Sequence, residues 1–425
     1  MHRVLEKKDV RRRSKFRMPR QPSSIFAVSG PEIPAHSRPP SSIPARIFAS
    51  CLTSVLVAVH YTNFGPLIPT LITDIHINSG QAGLFSTFLF LGLAVMYIPA
   101  GILADRYGQR LVLIGSSIIL VLGGLLLPLF PNIVWVLACR FIVGLGSGAA
   151  FVAGAGVAAS LGRHSSLGQG LYGGSVQIGS AMGLLVTPYL LSLFGWRGSF
   201  LIWGLLGILS IITWLFVRDG HVKPETKNIT LRAGVRSPSV WTLGLSHMGT
   251  FGLGNAIAAW IAVYLSFQYG LPLALAATLG SLALLTGMFF RPLGGILIAR
   301  NIIGAIPLLR LGTILGCTGV GLLAIPLHYP PLAIVGMACI AIGSTIPYTS
   351  VFNEAAQLRT VSKGVAQGLV SVISTPTVLL GPPLIGLLFE QTHNFTLAFG
   401  SIVLFGCVAI TASFLAGPAL KREAS

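Results

Sequence analysis

The chain has 425 residues, 53% hydrophobic and 9% charged, with a mean hydropathy of +0.82. A soluble domain is about a quarter charged, so the bulk of this chain is built for lipid and not for water. The formal net charge is +18, yet the basic residues fall in short breaks between apolar runs. That pattern marks membrane orientation and speaks against a nucleic-acid partner.

Residues 1–46 stand apart. "EKKDVRRRSKFRMPRQ" is basic and "SGPEIPAHSRPPSSIPA" is rich in proline and serine. Neither builds a core, which predicts a disordered basic cytoplasmic tail. The alternatives are an organelle transit segment, or translation starting at Met18.

From there on, apolar runs of about 20 residues recur, each long enough to cross a bilayer as a helix. The predicted spans are 47–72, 80–104, 111–130, 134–161, 168–194 and 197–217, then 238–266, 273–298, 304–327, 331–357, 364–389 and 396–417. This is an all-α integral membrane protein with 12 transmembrane helices in two six-helix bundles, 47–217 and 238–417. A central loop, 218–237, joins them, and 418–425 forms a short tail. Arg106, Arg110, Arg163, the cluster Arg218 to Arg236, Arg300, Arg359, Lys363, Lys421 and Arg422 fall on one side. The opposite breaks hold one such residue, Arg197. The bias places both termini and the central loop in the cytoplasm of a cell with a plasma (inner) membrane location. The five cysteines lie singly in apolar runs and read as packing thiols.

"GILADR" (Gly101–Arg106) closes span 2, and "GILIAR" (Gly295–Arg300) closes span 8 at the same place in its six-span unit. The match predicts a duplicated bundle. In "AGILADRYGQR", Gly101 and Gly108 permit close helix approach and a tight turn. Asp105, Arg106 and Arg110 fall at the water interface, where a carboxylate can cap a neighbouring helix. The plainer reading is a charged loop that fixes topology.

The G-x-L-a-D-R-x-G-x-R pattern between spans 2 and 3 resembles the signature of the major facilitator superfamily. The six-plus-six layout and the second copy after span 8 match it too. The resemblance covers residues 47–417. It implies secondary transport and gives Gly101, Asp105, Arg106, Gly108 and Arg110 a place in a cytoplasmic latch between the halves. The second copy departs from the pattern, with Ala299 where an acid is common, so its latch is weakened or absent.

"RFIVGLGSG" in span 4 resembles a further pattern of that family. Arg140, Gly144, Ser147 and Gly148 share a helix face, and a small-residue face packs on protein. Arg140 therefore points inward, either as a structural arginine bonded to carbonyls or as part of the coupling machinery.

Arg291 lies in "LLTGMFFRPLGG". A charge at mid-helix costs about 2.5–3.5 kcal/mol on insertion scales. Gly280, Gly287, Gly294 and Gly295 cluster around it on the helical wheel, while Leu282, Leu285, Phe289 and Leu293 lie opposite. Arg291 is therefore expected to face the interior. Pro292 cannot donate to the carbonyl of Met288, which loosens the helix there. Arg300 marks the cytoplasmic end about 13 Å away at 1.5 Å per residue. No Asp or Glu is expected in mid-membrane to neutralise it. A desolvated guanidinium holds two oxygens at once, which suits an oxyanion. Arg291 is read as a substrate ligand, with a structural gate arginine as the other reading.

"FRPLGG" also resembles the nitrate/nitrite porter and cyanate-transporter branches. In nitrate porters an arginine at this place binds the anion together with a second one in span 2. Span 2 here carries no charge before its cytoplasmic end. One arginine leaves a monoanion, with room for an apolar part. His60, Asn63, Gln177, Asn255 and Tyr348 are further candidates for the cavity wall, and Thr53, His247 and Asn353 are polar neighbours. His60 is the first choice for a proton site, unless the proton travels with the anion.

The expected function is secondary active transport of a small organic or inorganic anion by alternating access, coupled to protons. The chain should act as a monomer in the bilayer, with no cofactor, metal or nucleic acid. The rivals are proton-driven efflux of apolar or cationic compounds and a non-transporting membrane sensor. Efflux antiporters of the family carry G-P-x-x-G-G in span 5 and an embedded acid, and span 5 here has neither. A membrane enzyme lacks a nucleophile–base pair or paired carboxylates, and a channel is disfavoured by the repeat.

Overall fold

The computed structural model describes residues 41–161, 164–219, 231–358, 361 and 363–424. Among these there is no strand. Eleven helical segments are long and apolar enough to cross a membrane. The first four are α1 (Ile43–Ile75), α2 (Ser79–Ala104), α3 (Gln109–Leu129) and α4 (Ile133–Ala159).

The fifth segment, Gly168–Phe216, is a hairpin of two crossings. Gly195 inside it takes φ 65° and ψ 179°, a conformation that glycine alone enters readily. Trp203 Nε1 donates to Thr187 Oγ1 at 2.9 Å. A straight helix would hold these residues ~24 Å apart, so the chain turns back at Gly195, midway between them. The arms before and after Gly195 are α5 and α6. Six more segments follow: α7 (Pro238–Tyr269), α8 (Leu273–Ala299), α9 (Ala305–Ala324), α10 (Pro330–Gln357), α11 (Val365–Thr392) and α12 (Phe395–Glu423). Twelve crossings result, numbered as the predicted spans.

Two ends differ from expectation. The helix of α1 begins at Ile43, inside the predicted tail. Buried Arg46 bonds there to Asp219, just past α6, and to Ser160 Oγ at 2.7 Å. At the other terminus α12 continues beyond 417. Glu423 accepts from Ser237 Oγ at 2.8 Å and from Ser239 N at 3.2 Å, capping the start of α7. Each half thus ties its first helix to its last on one face, and these bonds order residues that composition alone assigns to tails. That face also carries Arg110, Arg300 and Arg310, and is called the basic face below. Residues 1–40 of the predicted tail lie outside the described residues.

The duplication shows in atomic detail. Arg110, in the first turn of α3, donates from Nε to Trp214 O and from Nη2 to Leu215 O, both at 2.7 Å. Arg310, near the start of α9, donates to Ser413 O at 3.2 Å and Phe414 O at 3.3 Å. In each half an arginine on the third helix donates to carbonyls of the sixth, close to the helix end in the first half and just before Pro418, which has no N–H for Phe414 O, in the second. Glycine contacts repeat as well. A Cβ on Gly146 would lie 2.6 Å from Ser116 O, and one on Gly343 would lie 2.6 Å from Gly312 O. α4 packs on α3 as α10 packs on α9.

The halves meet along two antiparallel pairs. In one, Gly173, Gln177 and Leu184 of α5 face Arg291, Gly287 and Gly280 of α8 in turn. In the other, Ser79, Gly83 and Thr87 of α2 face Glu390, Pro382 and Leu379 of α11. Away from the basic face, one apolar core joins both halves, bringing Phe64, Leu67 and Phe85 together with Trp260, Tyr264 and Phe399. Toward the basic face each half keeps a core largely its own. There the start of α11 packs on α2, with Ile98 against Gly368.

Candidate functional site

Two guanidiniums are buried in the helical interior, and they are held differently. Arg140 of α4 is 0% exposed. Its Nε donates to Phe85 O at 3.0 Å, Nη1 to Asn63 Oδ1 at 3.2 Å and Nη2 to His60 O at 2.9 Å. The Phe64 ring lies 5.1 Å from its guanidinium carbon. Gly144 and Gly148 bring this face of α4 onto the backbone of α2, where a Cβ would meet Leu89 O at 2.1 Å or Leu93 O at 2.4 Å. Arg140 therefore locks α1, α2 and α4 together within the first half.

His60 and Asn63 belong to this cluster, with Asn63 Nδ2 3.4 Å from His60 Nδ1. His60 Nε2 is buried without a partner. The expectation that His60 and Asn63 join Arg291 in one cavity wall is not met, because their face of α1 turns to α4. Thr53, two turns before His60 in α1, is likewise engaged within the first half by Ser210 and Trp214.

Arg291 of α8 is 7% exposed and sits at the junction of the halves. Nη1 donates to Gly173 O of α5 at 2.6 Å. The guanidinium carbon lies 4.4 Å from the Tyr348 ring centroid, so one face of the cation is covered. Nε is buried without a partner, and no bond is formed by Nη2 among the described residues. Nε and Nη2 share one edge of the fork, and neither has a bonding partner among the described residues. No ion pair joins Arg291 to a carboxylate among the described residues. Its placement follows from sequence: Gly280, Gly287 and Gly294 are buried on the same face, while Leu282, Phe289 and Leu293 are exposed. Gly294 packs so closely on α10 that a Cβ would lie 2.0 Å from Ile346 O.

Arg291 lines a cavity between the halves. The first half contributes Tyr61, Tyr97, Phe151 and Val176, and the second contributes His247, Phe251, Tyr348 and Phe352, with Ser371 and Ser374 from α11. Rings touch within each wall. Tyr97 and Phe151 centroids are 6.0 Å apart, Tyr348 and Phe352 are 4.8 Å apart, and His247 and Phe352 are 5.3 Å apart. The π-helical turn Met248–Gly252 in α7 follows His247 and contains Phe251, whose ring stacks on His247 at 5.7 Å.

The remaining candidates fall as follows. Tyr348 is in the cavity. Gln177 packs on Gly287, one turn from Arg291, and lines a second, apolar cavity with Ile257 and Leu284. Asn255 donates to Phe251 O in its own helix at 2.8 Å and lines neither cavity. Among the latch candidates, Gly108 takes φ 84° and makes the turn between α2 and α3. Arg110 caps α6 within its own half, and Arg106 is exposed over the Tyr107 ring at 5.3 Å. A Cβ on Gly101 would meet nothing within 4 Å. The side chain of Asp105 lies outside the described residues. The aromatic lining at Tyr61, Tyr97, Phe151, Phe251 and Phe352 was not anticipated. Its one sequence signal is tyrosine in mid-span, where a hydroxyl needs a reason to be.

The profile of the Major Facilitator Superfamily matches residues 50–375. The chain belongs to the Major Facilitator Superfamily. As a member of this superfamily it is a multi-pass membrane transporter and not an enzyme. It is 27% identical over 348 residues to "Nitrite extrusion protein" of Bacillus subtilis (strain 168), covering 78% of this chain and 84% of that one. It is 25% identical to "Probable nitrate transporter NarT" of a Staphylococcus epidermidis strain, covering 86% and 94%. It is 24% identical to "Probable anion transporter 6, chloroplastic" of Arabidopsis thaliana, covering 85% and 76%. In fold it is similar to a bacterial homolog of the human lysosomal transporter Spinster in inward-facing, occupied form. That comparison has a TM-score of 0.74 and 18% identity, over 90% of this chain and 99% of that one.

Proposed function

We propose that this superfamily member carries a small monoanion across its membrane by alternating access, with Arg291 as the anion's ligand. The observation that carries the reading is a buried guanidinium beside a cavity, with Nε unpartnered and no carboxylate paired with it among the described residues. The Nε/Nη2 edge of a guanidinium offers two parallel donors to one oxyanion. Relatives named for nitrite, nitrate and anion transport support the charge of the cargo. A lipophilic cation, the cargo of the efflux reading, would meet an unneutralised positive charge.

Alternating access is supported by the asymmetry of the interface. On the face away from the basic one, Glu390 Oε2 accepts from Ser79 N across the halves at 2.8 Å, and Gly386 packs directly on Ser79. Toward the basic face the halves meet through apolar contact such as Ile98 against Gly368, and the motion we infer opens one end while it closes the other. The Lys/Arg bias supports a cytoplasmic basic face, and we infer a plasma-membrane location. Proton symport is the energy source we infer. His60 is committed to the Arg140 cluster, while His247 lines the anion cavity itself.

Uptake of labelled nitrate, nitrite and small carboxylates into proteoliposomes tests the reading. Wild type should accumulate at least one of them under an inward proton gradient, and Arg291→Gln should not. Uptake of cations alone, or equal anion uptake by Arg291→Gln, would overturn it.

A further inference from the structure

We propose that the cargo is a planar aromatic monocarboxylate, of the benzoate type, and not an inorganic oxyanion. The inference rests on the anion reading above and narrows it.

The cavity has charge at one place only. Arg291 presents a two-donor edge, its Nη1 is already spent on Gly173 O, and one face is covered by Tyr348. The serines that reach the cavity donate to their own helix, Ser371 to Gln367 O at 2.8 Å and Ser374 to Ser371 O at 2.7 Å. An inorganic oxyanion such as nitrate spreads its charge over oxygens pointing in three directions. Held by a two-donor edge, nitrate would still point its third oxygen at rings, with hydration lost and little returned. A carboxylate concentrates its charge on two oxygens at one end, which matches a single bidentate edge.

The rest of the cavity suits the other end of such a molecule. One wall presents Tyr97 and Phe151 from the first half, and the other presents Phe251 and Phe352 from the second. Both walls are ring pairs or ring stacks in their own right, since Tyr97 meets Phe151 at 6.0 Å and His247 stacks on Phe251 at 5.7 Å. A flat ring entering between them is contacted by aromatic surface from both halves. Offset and edge-to-face contacts then add to apolar burial. Because the two walls belong to different halves, a ring of this kind also bridges the parts that must rock.

The test uses purified full-length protein in detergent and four probes: benzoate, cyclohexanecarboxylate, nitrate and benzyl alcohol. Isothermal titration should give benzoate as the tightest. It should bind about three- to tenfold tighter than the saturated acid of similar size, in keeping with the strength of aromatic pairs, and more than tenfold tighter than nitrate. Benzyl alcohol, which has the ring and no charge, should not compete. Phe151→Leu and Phe352→Leu, tested singly, should lower the preference for benzoate over nitrate several-fold. An unliganded thermal unfolding transition close to that of the wild type serves as the control that each variant is folded. Nitrate binding as tightly as benzoate would overturn the inference and leave the anion reading standing, as would equal affinity for the saturated acid. Binding of benzyl alcohol with no binding of any anion would overturn both.

Discussion

Arg140 and Arg291 are the same side chain under the same constraint, each buried in a helical bundle where lipid surrounds the protein. Arg140 is enclosed by three helices of one half, and every one of its nitrogens meets an oxygen. Arg291 lies between halves, anchored by one nitrogen to Gly173 O, with its Nε left without a partner. Both sit on glycine-bearing faces, so burial and small neighbours do not separate them. What separates them is whether the surrounding carbonyls use up the donors. A satisfied arginine holds helices together, whereas an unsatisfied one beside a cavity is a receptor for an oxygen that the protein does not supply.

The largest effect that would break this contrast is on stability. Arg140→Met takes a donor from the carbonyls of His60 and Phe85 and from the amide oxygen of Asn63, of which Phe85 O keeps its own helical partner. At about 1–3 kcal/mol for each unsatisfied buried group, the loss should reach about 2 kcal/mol or more, read as a lowered thermal unfolding temperature in detergent. Arg291→Met should change unfolding by less than about 1 kcal/mol, because one bond is lost and a buried charge is removed. Equal losses in the two variants would erase the distinction.

Glycine replacements sharpen it. Gly144→Ala and Gly294→Ala place a Cβ 2.1 Å from Leu89 O and 2.0 Å from Ile346 O respectively. Each should destabilise by about 1–3 kcal/mol. Only Gly294→Ala should also weaken anion binding, since it displaces the turn of α8 that carries Arg291. Gly101→Ala has open space and should stay within about 0.5 kcal/mol of wild type, a control for both. Titration and thermal unfolding on the same samples check the three.

The smallest expected effect is at Tyr348. Tyr348→Leu uncovers one face of the guanidinium, and a contact of this kind is worth about 0.5–1 kcal/mol at the low end. Anion affinity should fall about two- to fivefold by titration. An unchanged affinity would mean the ring does not orient the fork.

The sequence carries more of the fold than of the site. Twelve crossings follow from apolar runs, and even the reversal at Gly195 falls between the fifth and sixth predicted spans, because a lone glycine interrupts continuous hydropathy. The inward aim of Arg291 also reads directly, since it depends on the periodicity of one helix. The ends at Ile43 and Glu423 do not read, because Arg46–Asp219 and Glu423–Ser237 pair residues far apart in the chain. The site is harder for the same reason. His60 and Tyr61 are consecutive, yet one joins Arg140 and the other lines the Arg291 cavity. A turn of about 100° along α1 decides between them, and only the packing of α4 and α8 sets that rotation. The aromatic walls come from five helices with no shared spacing, so no local pattern announces them.

The most direct measurement of the central claim is ligand-induced thermal stabilisation of wild type beside Arg291→Gln, across a panel of small anions. At about 100 times its dissociation constant, a bound anion should stabilise the wild type by roughly 2.7 kcal/mol. The account predicts that this shift disappears in Arg291→Gln while the unliganded unfolding temperature stays the same. A shift that survives the substitution would contradict it and return Arg291 to the structural role that Arg140 fills.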